Sequence, residues 1–202
     1  MFVSFEGIEA SGKSTLLAAV DDALRAQGRQ TLRTREPGGT PAGDAMRRVF
    51  LDPAFALEAM SEVLLVNASR AELVQRVITP ALNEGVIVLC DRYVHSTLAY
   101  QGYGRGLPLS TVQMVCDAAT GGLMPDVTLL VDVSFETSRR RISKRAHVED
   151  RLELESAAFH DRVRRGFLEM SRLDSRIVVI DGEQNPEHVF EAAMQALGAR
   201  LP

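Results

Sequence analysis

The chain of 202 residues has no tryptophan, two cysteines and an aromatic fraction of only 5%. Two cysteines form no disulfide framework, and Cys90 and Cys116 lack the spacing of a metal site. No apolar run approaches the length of a membrane-spanning helix, and the first residues have no signal-peptide pattern. These absences argue against a disulfide-stapled secreted scaffold. They predict a cytoplasmic protein with no membrane partner.

The chain also lacks an excess of basic residues. It has 23 Lys and Arg against 27 Asp and Glu, for a net charge of −4. A mildly acidic surface releases few counterions from nucleic acid, so no nucleic-acid partner is expected. A site for phosphates must therefore concentrate a few arginines locally. No linker, repeat or low-complexity tract is present, which predicts a single domain over residues 1–202.

Short apolar runs alternate with stretches of helical periodicity along the whole chain. The runs predict strands at 2–6, 30–34, 86–90, 127–133 and 176–180, and a long helix is predicted at roughly 57–83. This alternation is typical of βαβ units. We therefore expect an α/β protein with a mainly parallel five-stranded sheet flanked by helices. Two glycine-rich stretches, 36–41 and 101–106, are predicted to be turns.

One glycine motif follows the first predicted strand. Residues 7–14, GIEASGKS, match the P-loop pattern G-x-x-x-x-G-K-[ST] at every fixed position. In such loops the backbone N–H groups surround phosphate oxygens, the lysine reaches the β- and γ-phosphates, and the serine hydroxyl binds Mg²⁺. The motif predicts a three-layer P-loop NTPase fold. It also predicts an ATP site formed by Gly7, Ile8, Glu9, Ala10, Ser11, Gly12, Lys13, Ser14 and Thr15.

A second acid and several arginines surround the predicted carboxyl edge of the sheet. Asp91 ends the apolar run 86–90, where a carboxylate can hold Mg²⁺, partly through water. Arginines suited to phosphate lie in or near the segments that follow the strands: Arg35, Arg47, Arg70, Arg92 and Arg105. A kinase for a phosphorylated acceptor needs such a second anion site.

Seven short strings occur in an order and spacing that resemble bacterial thymidylate kinases along nearly the whole chain. They are 5–9 (FEGIE), 34–40 (TREPGGT), 68–70 (ASR), 91–93 (DRY), 96–102 (STLAYQG), 125–126 (PD) and 150–153 (DRLE). The resemblance implies transfer of a phosphoryl group from ATP to dTMP, which yields dTDP and ADP. It further implies a Mg²⁺ cofactor and a homodimer.

The same resemblance implies roles for individual residues. Arg92 and Arg47 would hold the dTMP phosphate, while Arg70, Gln101 and Thr97 would contact the thymine edge. Tyr100 would pack on the sugar and disfavour a 2′-hydroxyl. Glu9 would meet the 3′-hydroxyl or the water shell of the metal ion. Pro37 corresponds to a proline that often follows a cis peptide bond in this family.

The cations that stabilise the transition state are expected on a lid. Members of the family carry a catalytic arginine either within the P-loop or on the lid, and positions 8–11 of this chain hold none. The charged run at about 139–151 is the predicted lid. Its candidates are Arg139, Arg140, Arg141 and Arg145, of which we favour Arg141 or Arg145 because four such close positions cannot all point inward.

One position departs from the family pattern. Four residues before Arg70 the family usually has a phenylalanine that stacks on thymine, and this chain has Val66. Losing an aromatic platform costs on the order of 1 kcal/mol of base affinity. We expect dTMP to remain the best acceptor, with a weakened hold on its base.

Two other functions remain open from the residues alone. One is a kinase for another small acceptor, such as a different nucleoside monophosphate or a deoxynucleoside. The other is a P-loop protein that uses ATP as an assembly signal in a larger complex. A GTPase switch is disfavoured because the chain has no N-K-x-D string.

Overall fold

A five-stranded parallel sheet forms the centre of the protein, as seen in a computed structural model that describes residues 1–144, 149–198 and 200. Its order is β2-β3-β1-β4-β5. The strands are β1 (Phe2–Glu6), β2 (Thr31–Arg35), β3 (Ile87–Asp91), β4 (Val127–Asp132) and β5 (Ile177–Asp181). Each strand begins within one residue of its predicted position, and every paired neighbour is parallel. The predicted α/β class is confirmed.

Helices connect the strands. They are α1 (Lys13–Ala26), α2 (Pro41–Leu51), α3 (Ala59–Leu73), α4 (Thr79–Asn83), α5 (Val94–Thr97), α6 (Leu109–Thr120), α7 (Phe135–Ile142), α8 (Ala157–Leu173) and α9 (Pro186–Gly198). A π-helical segment, π1 (Val74–Ile78), joins α3 to α4 just before Pro80, which has no N–H for the usual helix bond. Within the described ranges, no helix is long and apolar enough to cross a membrane.

The two faces of the sheet are covered by separate hydrophobic cores. Alternate residues of β3 divide between them: Ile87 and Leu89 pack with α1 and α9, whereas Val88 and Cys90 pack with α3, α6 and α8. Strands covered on both faces have near-continuous apolar sequences, which explains the runs seen in β3 and β4. The result is the three-layer arrangement that the motif predicted.

The carboxyl edge of the sheet brings three loops together. Strand β1 lies between β3 and β4, and Phe5 of β1 is opposite Asp91 at the end of β3. Arg35, at the end of β2, is opposite the same aspartate. The loops that leave β1, β2 and β3 therefore begin side by side.

The predicted turn at 36–41 is confirmed and leads into α2. The Glu36–Pro37 peptide bond is cis, as the resemblance implied. Gly38 has φ +131° and donates its N–H to the Ser69 hydroxyl at 2.9 Å. The Thr40 side chain caps α2 by accepting the N–H of residue 43 at 2.9 Å.

The predicted turn at 101–106 is wrong, because residues Leu98–Gly104 form a π-helical segment, π2, that continues α5. Its glycines permit close packing between helices. A Cβ on Gly102 would lie 2.5 Å from Leu109, and one on Gly104 would lie 2.7 Å from Phe159. Leu109 belongs to α6 and Phe159 to α8. The composition of residues 101–106 therefore gave no sign of these contacts.

Candidate active site

The loop between β1 and α1 forms a small cradle, residues 7–15. Gly7 has φ +142° and Gly12 has φ +104°, conformations that favour glycine. A Cβ on Gly7 would also lie 2.4 Å from the Val131 carbonyl oxygen. The loop encloses about 70 Å³ at the start of α1, where free N–H groups and the helix dipole favour an anion. The cradle therefore fits a phosphate group.

Lys13 lies in the first turn of α1 and is only 7% exposed. Its ammonium donates to the Ile8 carbonyl oxygen at 3.4 Å. Burial, assisted by the nearby Arg92 guanidinium, lowers the pKa of Lys13 to about 8. The side chain is thus a mostly charged, poorly solvated cation at neutral pH, which strengthens its attraction to an incoming phosphate.

Two oxygen ligands lie together beside the cradle. The Ser14 hydroxyl donates to the Asp91 carboxylate at 2.5 Å. Hydroxyl and carboxylate oxygens are the donors that Mg²⁺ prefers, and Mg²⁺ usually completes its shell with water and substrate phosphates. Among residues 1–144, 149–198 and 200, no group of three or more His, Cys, Asp or Glu side chains could hold a metal ion. Ser14 and Asp91 together fit an ion that also binds the phosphates of a substrate.

Arg92 follows directly and has a strained backbone, with φ +72°. One guanidinium nitrogen donates to the Gly7 carbonyl oxygen at 2.9 Å and to the Ser96 hydroxyl at 3.1 Å. The other donates to Glu9 at 2.9 Å and to the Tyr100 hydroxyl at 3.2 Å. The arginine therefore ties the cradle to π2.

Glu9 is a buried carboxylate within the cradle. Its Oε1 accepts from both Arg92 and the Tyr100 hydroxyl, the latter at 2.6 Å. Burial alone would raise the pKa of Glu9, but His160, Arg92, Lys13 and Tyr100 together lower it to about 2. The side chain is ionised at every physiological pH.

Two connected cavities extend from the cradle. The central cavity, about 180 Å³, lies between the cradle and Arg47, and the inner slot, about 40 Å³, lies behind it. Both share Arg92 and Pro37 as walls. The inner slot is lined by most of the predicted acceptor residues: Pro37, Val66, Arg70, Arg92, Thr97, Tyr100 and Gln101. The predicted residues therefore converge, although they come from separate parts of the chain.

Arg70 is held rigidly at the back of the inner slot. It is 1% exposed and pairs with Glu36 at 2.7 Å. It also donates to the Asn67 side chain at 2.7 Å and to the Thr97 hydroxyl at 2.9 Å. Such a network fixes the guanidinium plane before any ligand arrives. Burial of the Glu36 carboxyl raises its pKa, although Arg70 opposes that shift.

Arg47 lies on α2 at the opposite wall of the central cavity. Its guanidinium donates to the Pro37 carbonyl oxygen at 3.0 Å. Backbone carbonyls carry no net charge, so the cation keeps its full attraction for an anion in the cavity. Arg35 also lines the central cavity and is paired with Asp44 at 3.3 Å. Arg105 instead bonds to Glu62 and Glu155, which makes it a structural support.

An aromatic side chain that the sequence analysis missed lies in the inner slot. Phe50, from the last turn of α2, is 3% exposed and lines the slot together with Val66. The guanidinium carbon of Arg151 lies 5.2 Å from its ring centroid. No motif marked Phe50, and only the packing of α2 against α3 brings it to this wall.

The predicted lid arginines have different surroundings. Arg139 forms an ion pair with Glu149. Arg141 donates to the carbonyl oxygens of Ser11 at 2.8 Å and Gly182 at 2.9 Å, so it touches the cradle from α7. Arg145 lies outside the described residues.

A further cavity of about 390 Å³ opens beside Arg141. It lies between α1 and α9, on the outer side of the cradle. Its walls include Ala19, Gly182, Pro186, Val189 and Phe190. We call it the helix cavity. Its apolar walls suit a flat ring attached to a phosphate chain in the cradle.

Three buried polar residues near the site carried no motif role. Glu62 is fully buried and accepts from Gln101 at 2.8 Å, which orients that amide at the inner slot. Glu6 accepts the Tyr93 N–H at 2.7 Å and the Ser96 hydroxyl at 2.5 Å, and burial raises its pKa to about 7. His160, from α8, faces Glu9.

Comparison with known proteins gives consistent results. The thymidylate kinase family model matches residues 5–193. Thymidylate kinase of Deinococcus radiodurans is 46% identical over 197 residues, covering 97% of this chain and 95% of that protein. Its counterpart from Trichlorobacter lovleyi is 45% identical, covering 100% and 98%. The crystal structure of thymidylate kinase from Ehrlichia chaffeensis has a TM-score of 0.78 at 31% identity and covers 98% of each chain.

Proposed function

The chain belongs to the thymidylate kinase family, and on that premise we propose how its cavities carry out phosphoryl transfer from ATP to dTMP. One observation supports the scheme above all. The central cavity lies between the cradle and the inner slot, and Arg92 borders both the central cavity and the slot. A donor phosphate in the cradle and an acceptor phosphate near Arg92 would therefore face each other.

ATP binds with its phosphates in the cradle and its base in the helix cavity. Lys13 neutralises charge on the β- and γ-phosphates. Mg²⁺, held by Ser14 and by Asp91 partly through water, would screen the same oxygens and orient the chain for in-line transfer. Arg141 contacts the cradle already and is the described lid residue best placed to reach the transferred group.

The acceptor phosphate binds in the central cavity. Arg92 and Arg47 flank that cavity, and their planar guanidinium groups suit bidentate phosphate contacts. Binding requires Arg92 to exchange its bonds to Glu9 and Tyr100 for bonds to phosphate. Glu9, once released, faces the acceptor sugar or the water shell of the metal ion.

The base of the acceptor occupies the inner slot. Arg70 and Thr97 provide polar contacts at the base edge, and Gln101 is oriented toward it by Glu62. Tyr100 is 3% exposed and lies against the phenyl rings of Phe159 and Phe167, with centroids 6.1 Å and 6.3 Å away. A ring held so firmly leaves little room for a 2′-hydroxyl, which favours deoxyribose.

A coupled assay of ADP formation with dTMP, dUMP, dCMP and UMP tests the substrate. We expect the highest kcat/KM with dTMP. ADP release that is independent of any acceptor would instead favour the assembly-signal function.

Two variants test the map of the site. Lys13→Ala should lower kcat by 10²-fold or more, because the contact acts on transition-state charge. Arg92→Ala should raise the KM for dTMP and leave the KM for ATP within about twofold, since uniform binding of the acceptor alone is lost. The reverse pattern for Arg92→Ala would place this arginine on the donor side.

We also propose that two copies associate through α3 and α6. These helices pack together and expose large apolar side chains, with Leu64 at 56% and Met114 at 70%. Met114→Asp should convert the dimer to a monomer in sedimentation velocity, because an interfacial charge without a partner is costly to bury. Leu173→Asp is the matched control: Leu173 is 86% exposed on α8, away from the proposed interface. Equal sedimentation coefficients for the wild type, Met114→Asp and Leu173→Asp would refute the interface.

A further inference from the structure

His160 lies in the first turn of α8, directly after the predicted lid segment. It is 1% exposed. Its ring stacks on Phe135, the first residue of α7, with centroids 5.2 Å apart and planes 22° from parallel. The Phe159 ring is edge-on to the His160 ring, with centroids 5.6 Å apart. The ring of His160 is therefore packed against Phe135 of α7 and Phe159 of α8.

Polar atoms of His160 and Glu9 face each other without bonding. The Nδ1 of His160 is 3.4 Å from the Oε2 of Glu9, which is within ion-pair distance, but no hydrogen bond joins the two atoms in this conformation. Within residues 1–144, 149–198 and 200, neither ring nitrogen nor Oε2 has a hydrogen-bond partner. The other carboxylate oxygen, Oε1, has two donors, Arg92 and Tyr100.

This asymmetry has a chemical consequence when the acceptor binds. An unpaired oxygen on a buried carboxylate is costly, because the group has lost water and gained nothing in exchange. When Arg92 turns to the acceptor phosphate, Oε1 loses a donor as well. A buried anion in that position needs a new donor, and the unpaired Nδ1 of His160 lies 3.4 Å from Oε2.

We propose that His160 is a positioning residue that donates its Nδ1 proton to Oε2 of Glu9 in the substrate-bound enzyme. The proposal rests on the function given above for Glu9 at the acceptor. A shift of a few tenths of an ångström with a small rotation of the ring makes the bond. Ring contacts with Phe135 of α7 and Phe159 of α8 hold His160 beside Glu9.

Helix α7 also holds the P-loop through its backbone. The Ser138 hydroxyl donates to the backbone carbonyl oxygen of Glu9 at 2.7 Å. Arg141, one turn further along α7, donates to the next carbonyls of the loop. The backbone of Glu9 is thus hydrogen-bonded to α7, while its carboxylate faces α8.

Three variants separate positioning from packing. His160→Phe keeps the stacked ring and removes the donor, and His160→Asn puts an amide N–H near the position of Nδ1. Glu9→Gln removes the carboxylate on which His160 acts. We expect His160→Phe to lower kcat by about tenfold or more, with the KM for ATP within about twofold and an unchanged Tm, which is the loss expected for one hydrogen bond to a charged acceptor. His160→Asn should recover most of that kcat.

A double-mutant cycle decides whether His160 acts through Glu9. In the Glu9→Gln background, His160→Phe should change kcat by less than about twofold, because residues that act as a unit are non-additive. Equal losses in both backgrounds would overturn the proposal, as would full kcat in His160→Phe. Failure of His160→Asn to rescue a stably folded protein would also overturn it.

A measurement without turnover separates this inference from the proposed reaction. In protein with ¹⁵N-labelled histidine, dTMP together with a non-hydrolysable ATP analogue should slow exchange of the His160 Nδ1 proton, and Glu9→Gln should abolish that protection. Protection in an enzyme that does not phosphorylate dTMP would support the His160–Glu9 hydrogen bond and refute the proposed reaction. Absence of protection in an enzyme that phosphorylates dTMP would refute the His160–Glu9 hydrogen bond.

Discussion

Phe50 and Val66 are side chains of the inner slot that belong to different helices. Val66 stands where an aromatic platform was expected, and Phe50 supplies an aromatic ring to the same slot from α2. An aromatic face is useful to a base from whichever wall it comes. We therefore expect Phe50, which belongs to no motif, to offset the loss of stacking at Val66.

Exchange of the two residues tests this compensation. Phe50→Leu should raise the KM for dTMP by up to about tenfold with little change in kcat, because stacking on a base remote from the reaction is worth about 1 kcal/mol of uniform binding. Val66→Phe alone should also raise KM, since a second ring crowds a slot of about 40 Å³. The double variant Phe50→Leu/Val66→Phe should recover wild-type KM.

Steady-state kinetics with dTMP measures all three proteins. Val49→Ala is the control, because Val49 precedes Phe50 on α2 but is 40% exposed. If Phe50→Leu leaves KM unchanged, the ring does not face the base. A lower KM for dTMP in Val66→Phe alone would show that the base stacks on residue 66 and that Phe50 does not replace it.

At the scale of elements, π2 shows how a glycine pair can mark packing instead of a turn. Gly104 lies against α8, where an added Cβ would be 2.7 Å from Phe159 and 2.9 Å from Val163. Both partners are deeply buried. A methyl group there forces π2 and α8 apart, and π2 carries Tyr100 and Gln101.

Gly104→Ala should therefore lower the free energy of unfolding by about 1–3 kcal/mol, the usual cost of overpacking a core. Chemical denaturation by urea measures it. Gly198→Ala lies at the end of α9, where no atom of the described residues lies within 4 Å of an added Cβ, and should be neutral or slightly stabilising. A neutral Gly104→Ala would mean that the two helices can separate without cost.

The elements that could be predicted were those with a local cause. Apolar runs such as 86–90 are read directly as covered strands, and residues 7–14 specify their own loop. Phe50 and His160 could not be predicted, because their roles arise from partners such as Val66 and Glu9 in distant segments. The glycines of π2 were misread for the same reason: their packing partners lie in α6 and α8.

For the molecule as a whole, two buried titratable groups respond to pH in opposite senses. Burial lowers the pKa of His95 to about 4, against an ordinary 6.5, and the neutral ring lies 3.3 Å from the Thr128 hydroxyl. As the pH falls below 6.5, His95 binds a proton in the unfolded chain but stays neutral in the folded protein. The free energy of unfolding therefore decreases. Glu6, with its pKa raised to about 7, takes up a proton in the folded state first, so stability is gained.

Between pH 7 and pH 5 each group changes the free energy of unfolding by about 2 kcal/mol, and the two changes oppose each other. His95→Asn, which leaves Glu6, should therefore become more stable relative to wild type as the pH falls. Glu6→Gln, which leaves His95, should become less stable relative to wild type over the same interval. Urea unfolding at pH 7, 6 and 5 measures the differences, and parallel pH profiles for all three proteins would contradict both assignments.

Arg92 without its substrate is already neutralised by Glu9 and hydrogen-bonded to Tyr100 and Ser96. A bare arginine at the mouth of an open cavity would attract any small anion in its surroundings, inorganic phosphate included. An arginine that is already paired with a carboxylate binds an anion more weakly, because the existing ion pair must first be broken. Only a molecule whose sugar and base add contacts beyond its phosphate can offset the displaced carboxylate. We therefore expect the ion pair between Arg92 and Glu9 to weaken the binding of inorganic phosphate and other fragments of the substrate.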